Sequence, residues 1–146
     1  MKISKRTQYG IRLMLELAIN SDRGTIQLNE IARKEKISPK YLSIVIIPLR
    51  TAGLVKSKRG PFGGYSLAKP SNKITLKEII DVLEGGMCIV DCIKDPKKCL
   101  RSDLCATRDL WTIVNNEISH KLDSITLWDL ACIRRKKDDR AMMYQI

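Results

Sequence analysis

Residues 37–69 read ISPKYLSIVIIPLRTAGLVKSKRGPFGGYSLAK, and the punctuation of this stretch decides the fold. Ser38 is a good helix N-cap, because its hydroxyl oxygen accepts from an otherwise unpaired amide of the first turn. Pro39 suits the first helical position, where its missing N–H is not needed. The spacing predicts a helix from Pro39 that ends at Gly53, a residue at ease in the left-handed conformation of helix ends. Pro48 within it is expected to kink the helix or end its regular part early. Two strand-like runs follow, Leu54 to Lys58 and Tyr65 to Lys69, and Arg59-Gly60-Pro61-Phe62-Gly63-Gly64 between them predicts the sharp turn of a β-hairpin.

Working outward toward the N-terminus, Tyr9, Leu13 and Leu17, with Met14 and Ala18, recur at helical spacing as far as Ile19. Arg12 and Glu16 fall on the opposite side. A second short helix is predicted from about Leu28 to Lys36, with Leu28, Ile31 and Ala32 on one face. Two short helices joined by a tight turn, the second one capped, make a helix-turn-helix, and a hairpin directly behind them is a wing. The expected fold is therefore mainly α, a winged helix-turn-helix DNA-binding domain with a long C-terminal dimerisation helix. Base contacts are expected from the first turns of the capped helix, at Ser38, Pro39, Lys40, Tyr41, Ser43 and Ile44. Arg59 at the wing tip is suited to the negative potential of a narrow minor groove.

The charge distribution agrees with a nucleic-acid partner. Residues 1–80 hold 16 Lys and Arg against 5 Asp and Glu, whereas residues 81–146 hold 11 of each. The whole excess of +11 thus lies in the half that carries the helix-turn-helix, as a polyanion-binding surface requires. No apolar run approaches the eighteen or so residues of a membrane span, so no membrane partner and a cytoplasmic location are expected. A single histidine, no Gly-rich phosphate loop and no Ser/His/Asp arrangement argue against an enzyme.

Four of the five cysteines, Cys88, Cys92, Cys99 and Cys105, fall within eighteen residues of a stretch, DVLEGGMCIVDCIKDPKKCLRSDLC, that reads as a loop. Clustered thiols in a cytoplasmic chain point to a metal or redox site rather than a disulfide framework. The residues alone leave three chemistries open: an iron–sulphur cluster held by thiolates, a closed zinc site, or direct thiol oxidation. Structural zinc favours cysteines two to four residues apart, and the gaps here hold three, six and five residues. Cys88 is a candidate fourth ligand, though a small side chain filling space beside Met87 and Ile89 reads slightly better. His120 stands fifteen residues beyond Cys105, about 22 Å along a helix, and reads as a solvated residue. Cys132 is expected to pack against the core.

Between Ala106 and Leu122 the residues Leu110, Val114, Ile118 and Leu122 repeat every four, beside Trp111. They predict a long amphipathic helix, and a regulator of two-fold symmetric DNA has a use for it at a dimer interface. Thr126 is placed to cap a short last helix, Leu127 to Ile133. The remaining RRKKDDRAMMYQI is expected to be a solvated face or a frayed end. The organisation so read is a DNA-binding domain over 1–84, a cysteine loop over 85–105, the dimer helix with a short terminal helix over 106–133, and a charged tail over 134–146.

The opening KISKRTQYGIRLMLELA, the stretch ISPKYLSIVIIPLRTAGLVKSKRGPFGGYSLAKP and three spaced cysteines before a long helix resemble the Rrf-type winged-helix regulators of bacteria, over roughly residues 1–130. The branch it most resembles is that of the iron–sulphur cluster regulator. The resemblance implies a homodimer that reads a pseudo-palindromic operator in double-stranded DNA. It also implies a 2Fe-2S cluster held by Cys92, Cys99 and Cys105, and wing contacts from Arg59, Gly60 and Pro61. The chain departs from that branch at Arg108, where the pattern has a ligand histidine. It departs again at Ser43 and Ile44, where the pattern has an acid and an amide. Gln8 stands where the nitric-oxide-sensing branch has an acidic ligand. The function expected is cluster-sensing control of iron–sulphur assembly genes. The alternatives are a cysteine-metabolism or nitric-oxide-responsive regulator of the same family, or a protein-interaction module using the basic surface.

Overall fold

The computed structural model describes residues 2–145. Helix α1 (Lys5–Ile19) starts four residues before the predicted periodicity. Ser4 is the reason: its hydroxyl accepts from the Thr7 amide at 3.2 Å, and Glu84 in turn accepts from both the amide and the hydroxyl of Ser4. Leu13, Met14, Leu17 and Ala18 are buried on this helix as the spacing requires. Glu16 is not on a solvated face; it is 3% exposed and belongs to a buried ion network.

The helix-turn-helix is formed by α2 (Leu28–Glu35) and α3 (Pro39–Thr51). Between them Lys36 adopts a left-handed conformation, φ 54°, and Ile37 drops into the core. Ser38 caps α3 by accepting from the Tyr41 amide. Pro48 neither ends the helix early nor stops its C-terminal turn, which continues to Thr51 with Ala52 N–H donating to the Pro48 carbonyl. The carbonyl that a proline here deprives of its helical partner is that of Ile44, which lies on the exposed side of the helix. Ala52 is the C-cap and Gly53 follows at φ 77°, the position of a left-handed terminator.

The wing consists of β1 (Val55–Lys58) and β2 (Gly64–Leu67), each shorter than expected, paired antiparallel with Val55 opposite Leu67 and Lys58 opposite Gly64. A third segment stiffens it. Ile26 exchanges two backbone hydrogen bonds with Tyr65, at 2.8 and 2.9 Å, so the wing is tied to the residues that lead into α2. Gly64 makes that approach possible: a Cβ there would lie 2.5 Å from the Ile26 carbonyl oxygen.

Helix α4 (Leu76–Glu84) buries Ile79, Ile80 and Leu83, so Asp81–Glu84, the first residues of the loop-like stretch DVLEGGMC, are helical. It packs on α1 at Gly10, where any Cβ would collide with Leu83. The loop itself contains one turn of helix, α5 (Asp91–Lys94), and two 3-10 turns, Pro96–Lys98 and Ser102–Leu104. Then come α6 (Ala106–Ser124) and α7 (Leu127–Met143). The last helix is ten residues longer than expected, so the charged tail is helical rather than frayed. Thr126 and Asp129 form a reciprocal capping box at its start. Arg134 pairs with Asp138 one turn further on, and an antiparallel bridge joins Thr75 to Thr126. Buried Leu127 and Ala131 seat α7 against α1, so the C-terminal helix returns to the DNA-binding domain.

Candidate nucleic-acid interface and cysteine loop

Helix α3 has two faces of opposite character. Leu42, Val45, Ile46 and Leu49 are fully buried, while Lys40, Ser43, Ile44, Ile47 and Arg50 form an exposed stripe at the alternating three- and four-residue spacing. Ser38, Pro39, Lys40, Ser43 and Ile44, the residues expected to touch bases, are all exposed. Tyr41 differs: its ring is half-buried and meets Tyr9 edge-on with centroids 5.5 Å apart. The Ser43 hydroxyl donates to the Lys40 carbonyl at 2.6 Å, which turns it back onto its own helix. Ile47 and Arg50 were missed by the sequence reading because Pro48 was expected to end the useful helix; one more turn of the same periodicity finds them.

Beside this stripe stands the wing, with Arg59, Gly60 and Pro61 exposed at its tip and Phe62 87% exposed next to them. Arg59 makes no ion pair among the described residues, so its guanidinium is available to an anion. The Thr25 hydroxyl donates to the Phe62 carbonyl at 2.8 Å and braces the tip from the N-terminal side. A groove of about 420 Å³ separates wing from helix, lined by Gln27, Leu28, Arg50, Lys58, Arg59 and Gly60 among others. Basic and apolar side chains are thus exposed side by side on α3 and the wing, where cations can hold phosphates while neighbouring side chains reach base edges.

The cysteine loop is clasped from below by α6. Arg108 donates through Nε to the Cys92 carbonyl at 3.2 Å, and buried Asn115 accepts from the Ile89 amide at 3.1 Å. Beyond these clasps the loop opens: Cys99, Leu100 and Leu104 are exposed. Cys105 is the residue before α6 and shares a hydrogen bond with the Thr107 hydroxyl at 3.0 Å. That bond, with the Arg108 amide second, holds the Cys105 thiol below its usual range. Cys88 is half-buried in a polar depression with Glu84, Asp91 and Lys94, and Cys132 is half-buried on α7.

A 2Fe-2S cluster needs thiolates that converge. Cys92, Cys99 and Cys105 supply the right donor atoms, yet among the described residues no three His, Cys, Asp or Glu side chains come together as a metal site. Arg108, at the place of the expected histidine, is engaged with loop backbone. In this arrangement the residues present do not form a cluster site. His120 is exposed on α6 and takes no part.

Fold and site together define a winged-helix DNA-binding regulator. The sequence profile of the Rrf2 family, described as iron-dependent transcriptional regulators, matches residues 3–133. The chain belongs to the Rrf2 family. It is 39% identical over 144 residues to the HTH-type transcriptional regulator CymR of Bacillus subtilis, covering 99% of each chain. The solved structure of that protein, called the global cysteine regulator of the organism, superposes with a TM-score of 0.78 over 91% of this chain and 98% of that one. IscR of Escherichia coli is 33% identical over 130 residues, 89% of this chain and 80% of the relative. The IscR structure from T. potens superposes with a TM-score of 0.74 at 37% identity, covering 89% of this chain and 85% of that one. The Rrf-type winged-helix expectation therefore stands. The preference for the cluster-regulator branch does not lead: likeness to the cysteine regulator extends over more of both chains.

Proposed function

We infer that the protein is a cytoplasmic homodimeric transcription factor that controls genes of cysteine or sulphur supply, reading a pseudo-palindromic operator with α3 and the wing. The observation that carries this reading is the end-to-end likeness to a cysteine regulator, 39% over 99% of both chains. The arrangement around Arg108 supports it, since that side chain serves as a backbone clasp rather than a ligand. Lys40, Ile44, Ile47 and Arg50 face the major groove, and Arg59 with Gly60 and Pro61 meets the adjacent backbone or minor groove. Two-fold symmetry comes from α6, whose Leu110 and Ile113 are more than half exposed. The test is to delete the gene and compare transcripts under ample and limiting cysteine. Sulphur-assimilation transcripts that lose their response to cysteine support the reading; an unchanged response refutes it.

A second reading has its own observation, three thiols on one loop. Under it the chain is a 2Fe-2S regulator of iron–sulphur assembly, and Cys92, Cys99 and Cys105 draw together when the loop refolds beyond its Arg108 and Asn115 clasps. Protein purified without oxygen separates the two. Iron and acid-labile sulphide near two per chain, lost in Cys92→Ala, Cys99→Ala and Cys105→Ala, favour the cluster; colourless protein that still binds DNA favours the cysteine regulator.

A further inference from the structure

Helix α2 ends at Glu35, and the next residue, Lys36, makes the left-handed turn that aims the recognition helix. Whatever holds Glu35 therefore holds the start of α3. Arg12 of α1 grips it twice, donating through Nε to the carboxylate at 2.7 Å and through Nη2 to the backbone carbonyl at 2.6 Å. A second grip comes from the far end of the chain: Arg134 of α7 reaches the other Glu35 oxygen at 3.5 Å and Glu16 at 3.6 Å. Glu16 and Glu35 are 3% and 8% exposed. A carboxylate pair so buried persists only where cations and donors compensate it. Arg12 on α1, Lys34 on α2 and Arg134 on α7 supply the cations; Asn20 donates to Glu16, and Asp138 accepts from Arg134.

We propose that Arg134 is a positioning residue for operator reading: through Glu35 and Glu16 it fixes the angle of the recognition helix and couples that angle to the C-terminal helix. The proposal rests on the DNA-reading role given above. Its physical content is a junction of three helices from distant parts of the chain, with the turn before α3 directly attached. A movement of α7 relative to α1 pulls on Glu35, and thus on the segment that leads into α3. The exposed stripe of α3 and the tip of the wing are untouched by the network, so phosphate contacts that carry no sequence information survive its loss.

The protonation of the pair supports the same geometry. Burial, with the hydrogen bond and charge of Glu35 next, raises the Glu16 pKa above the usual carboxylate range. Burial acts on Glu35 too, but the hydrogen bonds from Arg12 and Glu16 outweigh it and lower its pKa. Their titrations are linked, because each carboxyl lies in the field of the other. The contribution of Glu16 is present at low pH and is lost as pH rises through its raised pKa. That of Glu35 is lost as pH falls through its lowered one. The junction is tightest between the two, and a second deprotonation sets two buried carboxylates against each other.

The test uses the full chain and a duplex selected by the wild-type protein from a random library, with an unselected duplex as control. Arg134→Met removes the charge at similar volume, Arg134→Lys restores it, and Glu16→Gln mimics the protonated acid. Arg134→Met is expected to weaken the selected duplex about tenfold, within the ordinary range of site-to-site coupling, with the control duplex unchanged and Arg134→Lys recovering most of the loss. Wild-type binding is expected to weaken as pH rises past the raised Glu16 pKa, and Glu16→Gln to be flat over that range. A selected-to-control ratio unchanged in Arg134→Met overturns the proposal, as does a Glu16→Gln variant that keeps the wild-type pH profile. Should Arg134→Met fail to fold, the selected-to-control ratio in Arg134→Gln decides in its place. Failure of the wild-type protein to enrich any duplex would instead overturn the operator-reading role itself.

Discussion

Arg59 and Arg134 show how differently one residue type acts in one small protein. Arg134 is fixed between two buried carboxylates, and its task is internal. Arg59 lies exposed at the end of a hairpin whose second strand is bonded to Ile26 at Tyr65, close to the tip, so a flexible charge sits on a braced support. A guanidinium placed this way loses little on meeting phosphate or a groove edge, because it gives up no ion pair among the described residues. Replacing Arg59 with alanine is expected to cost about 1–3 kcal/mol of DNA affinity, the range of one contact of this type. Quantitative gel shifts on a selected duplex check it. Affinity unchanged in Arg59→Ala removes the wing tip from the interface, while the fold, to which this side chain contributes no burial, stays as it is.

At the scale of elements, α6 carries the clearest unfinished surface. One side, through Ile118 and Leu122 with Arg108 and Asn115, packs toward α4 and the cysteine loop; the other displays Leu110 and Ile113. Leu110→Arg combined with Ile113→Glu is expected to give a folded monomer by sedimentation, because the change falls on the uncovered side; a variant that sediments as wild type places the two-fold contact elsewhere. Much of this element plan was legible in the sequence, since capping and periodicity are local. Ser38-Pro39, Gly53 and the Gly-rich tip marked the helix-turn-helix and wing to within a few residues. What was not legible depended on distant partners. Glu16 reads as a solvated residue until Arg134, over a hundred positions away, is seen to reach it. The tail from Arg134 onward reads as frayed until its first residue is anchored and its helix capped at Thr126. The cysteines were legible as a group, but spacing on a loop does not determine whether thiols converge. Here backbone clasps, not thiols, organise the loop.

For the whole molecule, the separation of charge is the property with the longest reach. Each chain carries +11, all of it in the first 80 residues, and α7 of the neutral half packs against α1 of the basic one. A dimer made through α6 presents two such basic domains, and every phosphate they neutralise releases counterions with a log–log salt slope of about −0.9 each. Binding to a full operator is therefore expected to fall steeply as salt rises, by about a thousandfold or more between roughly 50 and 200 mM if six or more phosphates are contacted. The Leu110→Arg, Ile113→Glu variant turns this into a test of symmetry. If each protomer contributes an equal set of phosphate contacts, the monomeric variant retains about half the wild-type slope, along with a large loss of affinity. A monomer that keeps the full slope means that one chain makes all the ionic contacts. The second recognition helix would then not be on the DNA, and the pseudo-palindromic operator would have to be given up.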